Sequence, residues 1–130
     1  MKKIIAILLA LAVWTISIGA ERKEPLDFKA AGFEKISTTA YCTGHTTANG
    51  SKVHEGGCAN SLDRIGQVAI IYSLEGEFLG YFECNDTGKE GGGVRAGNVV
   101  DIYRTDYDRC VEWMELTGGK CWIRWIEGEG

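Results

Sequence analysis

Glu83-Cys84-Asn85-Asp86-Thr87-Gly88, a glycine-rich connection from Lys89 to Gly97, and Val99-Val100-Asp101-Ile102-Tyr103 form the stretch that decides how this chain is read. Both aspartates stand where a carboxylate is costly. Asp86 follows an apolar run from Phe78 to Phe82 and opens a turn at Thr87-Gly88. Asp101 lies inside a strand-like run of β-branched and aromatic residues. Side chains alternate along a strand, so Val100 and Ile102 share one face while Val99, Asp101 and Tyr103 share the other. With Val100 and Ile102 turned to a core, Asp101 stands on a partly apolar outer face. Desolvation there raises its pKa, and a second carboxylate nearby raises it further. That combination makes a general acid of an aspartate. The plainer alternative is that both residues only end strands and cap loops.

Outward from this stretch, the elements are short. Phe33 to Cys42 reads as a strand, and Asn49-Gly50 marks a turn within the loop from Thr46 to Gly50. Gln67 to Tyr72 is a strand apolar on both faces. It turns at Glu75-Gly76 and returns as Phe78 to Asn85, which predicts a hairpin. After Tyr103 the period changes. Thr105 is a candidate cap for a helix that places Tyr107, Cys110, Val111 and Met114 on one face and stops at Gly118-Gly119. Lys120 to Ile126 is a last strand, with Cys121, Ile123 and Trp125 on one side.

The 130 residues suffice for one compact domain, and 18 glycines against a single proline favour tight turns between short strands. The fold class expected from these elements is mainly β, a small barrel with one short helix before the last strand. Residues 1–20 read as a signal peptide, with Lys2-Lys3 ahead of an apolar run from Ile4 to Ile18 that closes at Gly19-Ala20. An uncleaved single-pass anchor is the alternative, although the run falls short of the ~20 residues a span prefers. Residues 21–32 are charged and non-periodic and read as a linker, leaving 33–130 as the domain. The formal charge of −4, without a basic patch, argues against a nucleic-acid partner.

All five cysteines, Cys42, Cys58, Cys84, Cys110 and Cys121, follow the predicted signal. An odd count leaves at least one thiol unpaired in a monomer, and the sequence leaves the pairing open. Cys42, His45, His54 and Cys58 have spacings compatible with tetrahedral zinc, but neither pair has the common Cys-x-x-Cys form. No metal or other cofactor is called for.

Thr39-Ala40-Tyr41, Thr47-Ala48-Asn49-Gly50, Ile65-Gly66, Asn85-Asp86-Thr87-Gly88 and Val100-Asp101-Ile102-Tyr103 occur in this order. Together they resemble the three-aspartate (3D) domain of secreted bacterial cell-wall proteins, which is related to the catalytic barrel of the lytic transglycosylase A family. The resemblance runs from about Ile36 to Ile126. It implies a double-psi β-barrel acting on the glycan strands of peptidoglycan, as a lytic transglycosylase or glycosidase in cell-wall turnover. The expected protein is secreted, associated with the wall, monomeric, and free of stable membrane association once the signal is removed. By this resemblance Asp101 is the catalytic acid and then base, and Asp86 its supporting aspartate. The family's first aspartate falls at Asn60 by distance along the chain, or at Asp63 by residue type. Tyr41, Thr47, Asn60, Asp63 and Gly88 are the expected substrate-binding positions. The displaced first aspartate and the long loop between Asp86 and Asp101 depart from the family pattern. They keep a second function in view: a non-catalytic module that binds or loosens wall glycan.

Overall fold

A computed structural model describes residues 26–128. The predicted signal and the first part of the predicted linker lie outside the described residues. Six strands, β1 (Glu34–Tyr41), β2 (Gly57–Asn60), β3 (Gln67–Ser73), β4 (Phe78–Thr87), β5 (Val99–Tyr103) and β6 (Lys120–Glu127), close into a barrel. Helix α1 (Tyr107–Thr117) precedes the last strand. Around the barrel the order is β1-β5-β2-β4-β3-β6, returning to β1. The β1–β5 and β2–β4 pairs are parallel and the remaining pairs antiparallel. The mainly β barrel with one helix is thus the architecture that the short elements and glycines predict.

Alternation decides what lies inside. Val100 and Ile102 of β5 are fully buried and join Ile36, Cys58, Ile71 and Ile123 in the barrel core. Burying each of the β5 pair is worth about 1.5–3 kcal/mol. A one-residue slip of β5 would exchange both for Asp101 in an apolar interior, so this burial fixes the register that puts Asp101 outside.

The strand predicted to be apolar on both faces has a reason to be so. Ala69 and Ile71 of β3 face the barrel core, whereas Ile70 and Tyr72 lie beneath a second cluster on the outside. Phe28 and Phe33 supply that cluster, and Phe28 stacks on Trp122 with ring centroids 5.3 Å apart. The later part of the predicted linker is therefore packed onto the barrel. The Arg124 guanidinium donates to the Ala31 carbonyl at 2.8 Å and holds this segment down.

The helix differs from its sequence expectation in phase and in cap. Cys110, Trp113 and Thr117 are its buried residues, while Tyr107 is 73% exposed and Val111 and Met114 are exposed as well. Trp113 sets the phase. Its indole N–H donates to Thr38 Oγ1 at 2.9 Å, and its ring meets Phe82 edge-on in the barrel core. Asp106, not Thr105, caps α1 by accepting from the Arg109 N–H. Thr105 instead donates through its N–H and hydroxyl to the Glu55 carboxylate. At the other end Gly118 adopts the left-handed conformation that closes the helix.

Candidate active site

Strand β2 carries the site although it has only four residues, all buried. It lies between β4 and β5, and Ala59 pairs with Asp86 on one side and with Asp101 on the other. Asp101 in turn pairs with Thr39 of β1. Thr39, Asp101, Ala59 and Asp86 thus form one row across four strands. The two aspartates are separated by two strand spacings, about 10 Å of backbone. Ala59, a small and buried residue, lies between them in the row.

Asp86 reaches this row through a bulge. Cys58 pairs with Cys84 and the next residue, Ala59, pairs with Asp86, so Asn85 is the extra residue. A bulge of this kind re-aims the side chain that follows it. Asn85 is buried, and its Nδ2 lies 3.4 Å from His54 Nε2. The Nδ1 of that imidazole lies 2.8 Å from the Glu55 carbonyl oxygen. A ring protonated on Nδ1 donates to Glu55 and accepts from Asn85. Gly57 makes room for this arrangement: a Cβ there would lie 2.9 Å from Asn85 Nδ2.

The surroundings of the carboxylates differ. Asp101 is half-buried and accepts one side-chain hydrogen bond, from Thr39 Oγ1 at 2.8 Å. Desolvation raises its pKa; the Thr39 hydrogen bond works against that rise, and the nearby charge of Asp86 adds to it. Asp86 accepts from the Ala48 N–H at 3.0 Å and from the Thr87 N–H at 2.9 Å. The first of these bonds, with Asn49 N–H donating to the Asn85 carbonyl, docks the 46–52 loop on the end of β4.

Tyr41 stands two residues beyond Thr39 on the same face of β1. Its ring meets that of Tyr103 edge-on, with centroids 5.4 Å apart. Burial, then the charges of Asp86 and Asp101, push its phenol far above the usual range, so both carboxylates act on it. Among the described residues the buried hydroxyl has no hydrogen-bond partner, and neither has the buried Thr87 hydroxyl next to Asp86. Both are buried donors close to the two carboxylates.

The other expected binding residues hold the frame. Thr47 is buried, and its hydroxyl bonds within its own turn to Asn49 Oδ1 at 2.7 Å and to Ser51. Asn60 is 2% exposed and donates to the Val99 carbonyl at 2.9 Å, tying the end of β2 to the start of β5. Asp63 lies outside the row, exposed on a short 3-10 turn. Its carboxyl is held below the usual range by the Ser61 hydroxyl, which donates at 2.6 Å. Gly88 lets the glycine-rich loop close against β4. A Cβ there would lie 2.7 Å from Val94 Cβ, and its carbonyl accepts from Arg95 at 2.8 Å.

Compared with known proteins, the chain matches no family model and has no significant match among curated proteins.

Thr39, the Ala48 N–H and Asn85 belong to the site but were not among its expected residues. Thr39 had a signal: alternation along β1 puts it on the face of Tyr41. The Ala48 contact spans 38 residues and arises only from loop docking, which local patterning does not encode. The zinc spacing does not become a site. Cys58 points into the barrel with its thiol toward the Phe82 carbonyl, away from the exposed His45 and His54. Among the described residues no group of three or more His, Cys, Asp or Glu side chains is placed to hold a metal.

Proposed function

We propose that the protein is an exported peptidoglycan-cleaving enzyme of the 3D kind, a lytic transglycosylase or glycosidase acting on glycan strands in wall turnover or remodelling. Asp101 is the acid and then the base. The observation that carries this reading is Asp101 itself: desolvated, steadied by one hydroxyl, and set in a row with a second carboxylate. The barrel is read as double-psi. Its two parallel pairings within an otherwise antiparallel closure support that assignment.

Transglycosylation needs only one carboxyl of raised pKa, unlike retaining hydrolysis, which uses a second carboxylate as nucleophile. Asp101 protonates the glycosidic oxygen. The resulting carboxylate then takes a proton from the muramyl 6-hydroxyl as that oxygen closes onto C1. Where water intercepts the oxocarbenium-like species instead, the same group deprotonates the water and the product is a reducing end. Asp86 keeps Asp101 protonated to higher pH and anchors the 46–52 loop.

Asn60 favours the second reading, a wall-binding module without cleavage. At the position matched by chain distance to the family's first aspartate there is a buried amide committed to the Val99 carbonyl. The experiment is mass spectrometry of purified peptidoglycan after incubation, looking for 1,6-anhydromuramyl and new reducing ends. Asp101→Asn keeps the side chain's shape and should lower cleavage about 10²–10⁴-fold. Unchanged cleavage by that variant removes Asp101 from the mechanism. Wild type that binds wall without cutting it selects the binding module.

A further inference from the structure

The fold sorts the five cysteines into two neighbouring couples and one single thiol. Cys58 and Cys84 are opposite one another on β2 and β4, both without solvent exposure. The Cys58 thiol donates to the Phe82 carbonyl at 3.8 Å and the Cys84 thiol to the Asp86 carbonyl at 3.6 Å. Cys121 is buried alone in the same core. These three thiols are sealed from any reagent in solution.

Cys42 and Cys110 are placed differently. Cys42 is the first residue after β1 and is half-buried. Cys110 lies on the inner face of α1 near its start and is 8% exposed. The helix packs along β1, Ala40 near the end of that strand lines the same cavity as Cys110, and Cys42 two residues on is close enough to act on the Cys110 thiol. A shallow, mostly apolar cavity of about 380 Å³, lined by Ala40, Tyr107, Cys110, Val111, Met114 and Glu115, opens beside Cys110. A reagent can therefore reach this couple from solvent.

We propose that Cys42 and Cys110 form a disulfide in the exported protein, strapping α1 to the end of β1 while the other three cysteines stay reduced. The pairing is independent of the proposed activity; only the oxidising surroundings depend on export. The oxidant is a disulfide, carried by a thiol–disulfide oxidoreductase or by a small molecule such as oxidised glutathione. The Cys42 thiolate attacks one sulfur of that disulfide and expels the other as a thiolate. The Cys110 thiolate then attacks Cys42 Sγ in the mixed disulfide and releases the second. One S–S bond forms in the protein, one breaks in the oxidant, and the two electrons and two protons end on the oxidant's pair of thiols. Burial, then the proximity of Cys42, push the Cys110 thiol up to about 11, so the more exposed Cys42 reacts first. The strap joins the strand that carries Thr39 and Tyr41 to the helix that seats Trp113 in the barrel.

The purified protein, incubated with oxidised glutathione or with dithiothreitol, is denatured, alkylated, digested without reduction and mapped by mass spectrometry. The oxidised sample should yield one linked pair of peptides containing Cys42 and Cys110, with Cys58, Cys84 and Cys121 alkylated. Closing a loop of this length should raise Tm by on the order of 10 °C relative to the reduced protein. The difference should vanish in Cys42→Ser, a change at a loop position outside the core, and in Cys110→Ala. Five alkylated cysteines after oxidation, a link through any other pair or between two molecules, or a Tm difference that survives in Cys42→Ser would overturn the proposal.

Discussion

Thr39 and Asp86 act on Asp101 in opposite directions. The Thr39 hydroxyl donates to the ionised carboxyl and favours the charged form, whereas the charge of Asp86 disfavours it. Burial is the largest influence and also disfavours it. Removing the hydroxyl in Thr39→Val should therefore raise the Asp101 pKa further, and Asp86→Asn should lower it while burial still holds it up. Titration of the Asp101 carboxyl carbon by NMR reads both shifts without requiring activity. Where cleavage is present, the upper limb of its pH profile should follow: to higher pH in Thr39→Val, to lower pH in Asp86→Asn. Shifts of the same sign in the two variants would refute this account of the site. Both aspartates were legible in the sequence, because alternation from Val99 to Tyr103 and the Thr87-Gly88 turn set their surroundings locally. The Thr39 partnership was only half legible: its face followed from alternation, but its pairing with Asp101 depends on a parallel ladder between strands 62 residues apart.

Among the elements, β2 is the shortest part of the site's frame and the one that local patterning did not predict. Gly-Cys-Ala-Asn has little β-propensity of its own. It is a strand because β4 and β5 pair with it on both sides. Its first residue tolerates little change. In Gly57→Ala the new methyl would press on Asn85 Nδ2 at 2.9 Å and on the His54 carbonyl oxygen at 3.2 Å. The backbone there is not left-handed, so the cost is steric, about 1–3 kcal/mol for overpacking a buried site. At about 4–8 °C per kcal/mol, thermal denaturation should show a clear drop in Tm. An unchanged Tm would mean that the Asn85 amide moves aside freely and that the bulge does not need Gly57. The phase of α1 departs from its sequence pattern for a related reason. Tyr107, Val111 and Met114 outweigh Thr117 in a hydrophobic count, but the helix is oriented by Trp113, whose N–H needs the Thr38 hydroxyl. The β3–β4 hairpin is legible in the sequence because its turn residues and both apolar runs are contiguous.

For the whole molecule, closure is the decisive property. The last strand, β6, pairs with both β1 and β3 and completes the ring. Ending the chain at Gly119 removes both ladders and opens the apolar interior to water. That truncated chain should show no cooperative thermal transition by circular dichroism, whereas the full chain should melt in a single step. A cooperative melt of the truncated chain would show that five strands suffice. Closure also sets a timetable. Contacts so distant in sequence put refolding in the range of ~milliseconds to seconds, slower than a helical bundle of equal length. A chain emerging N-terminus first, from a ribosome or through a membrane pore, presents β1 early with neither of its neighbours yet made. The barrel that frames the proposed acid therefore closes only once β6 has emerged, so the proposed activity, if present, would stay latent through synthesis and transit.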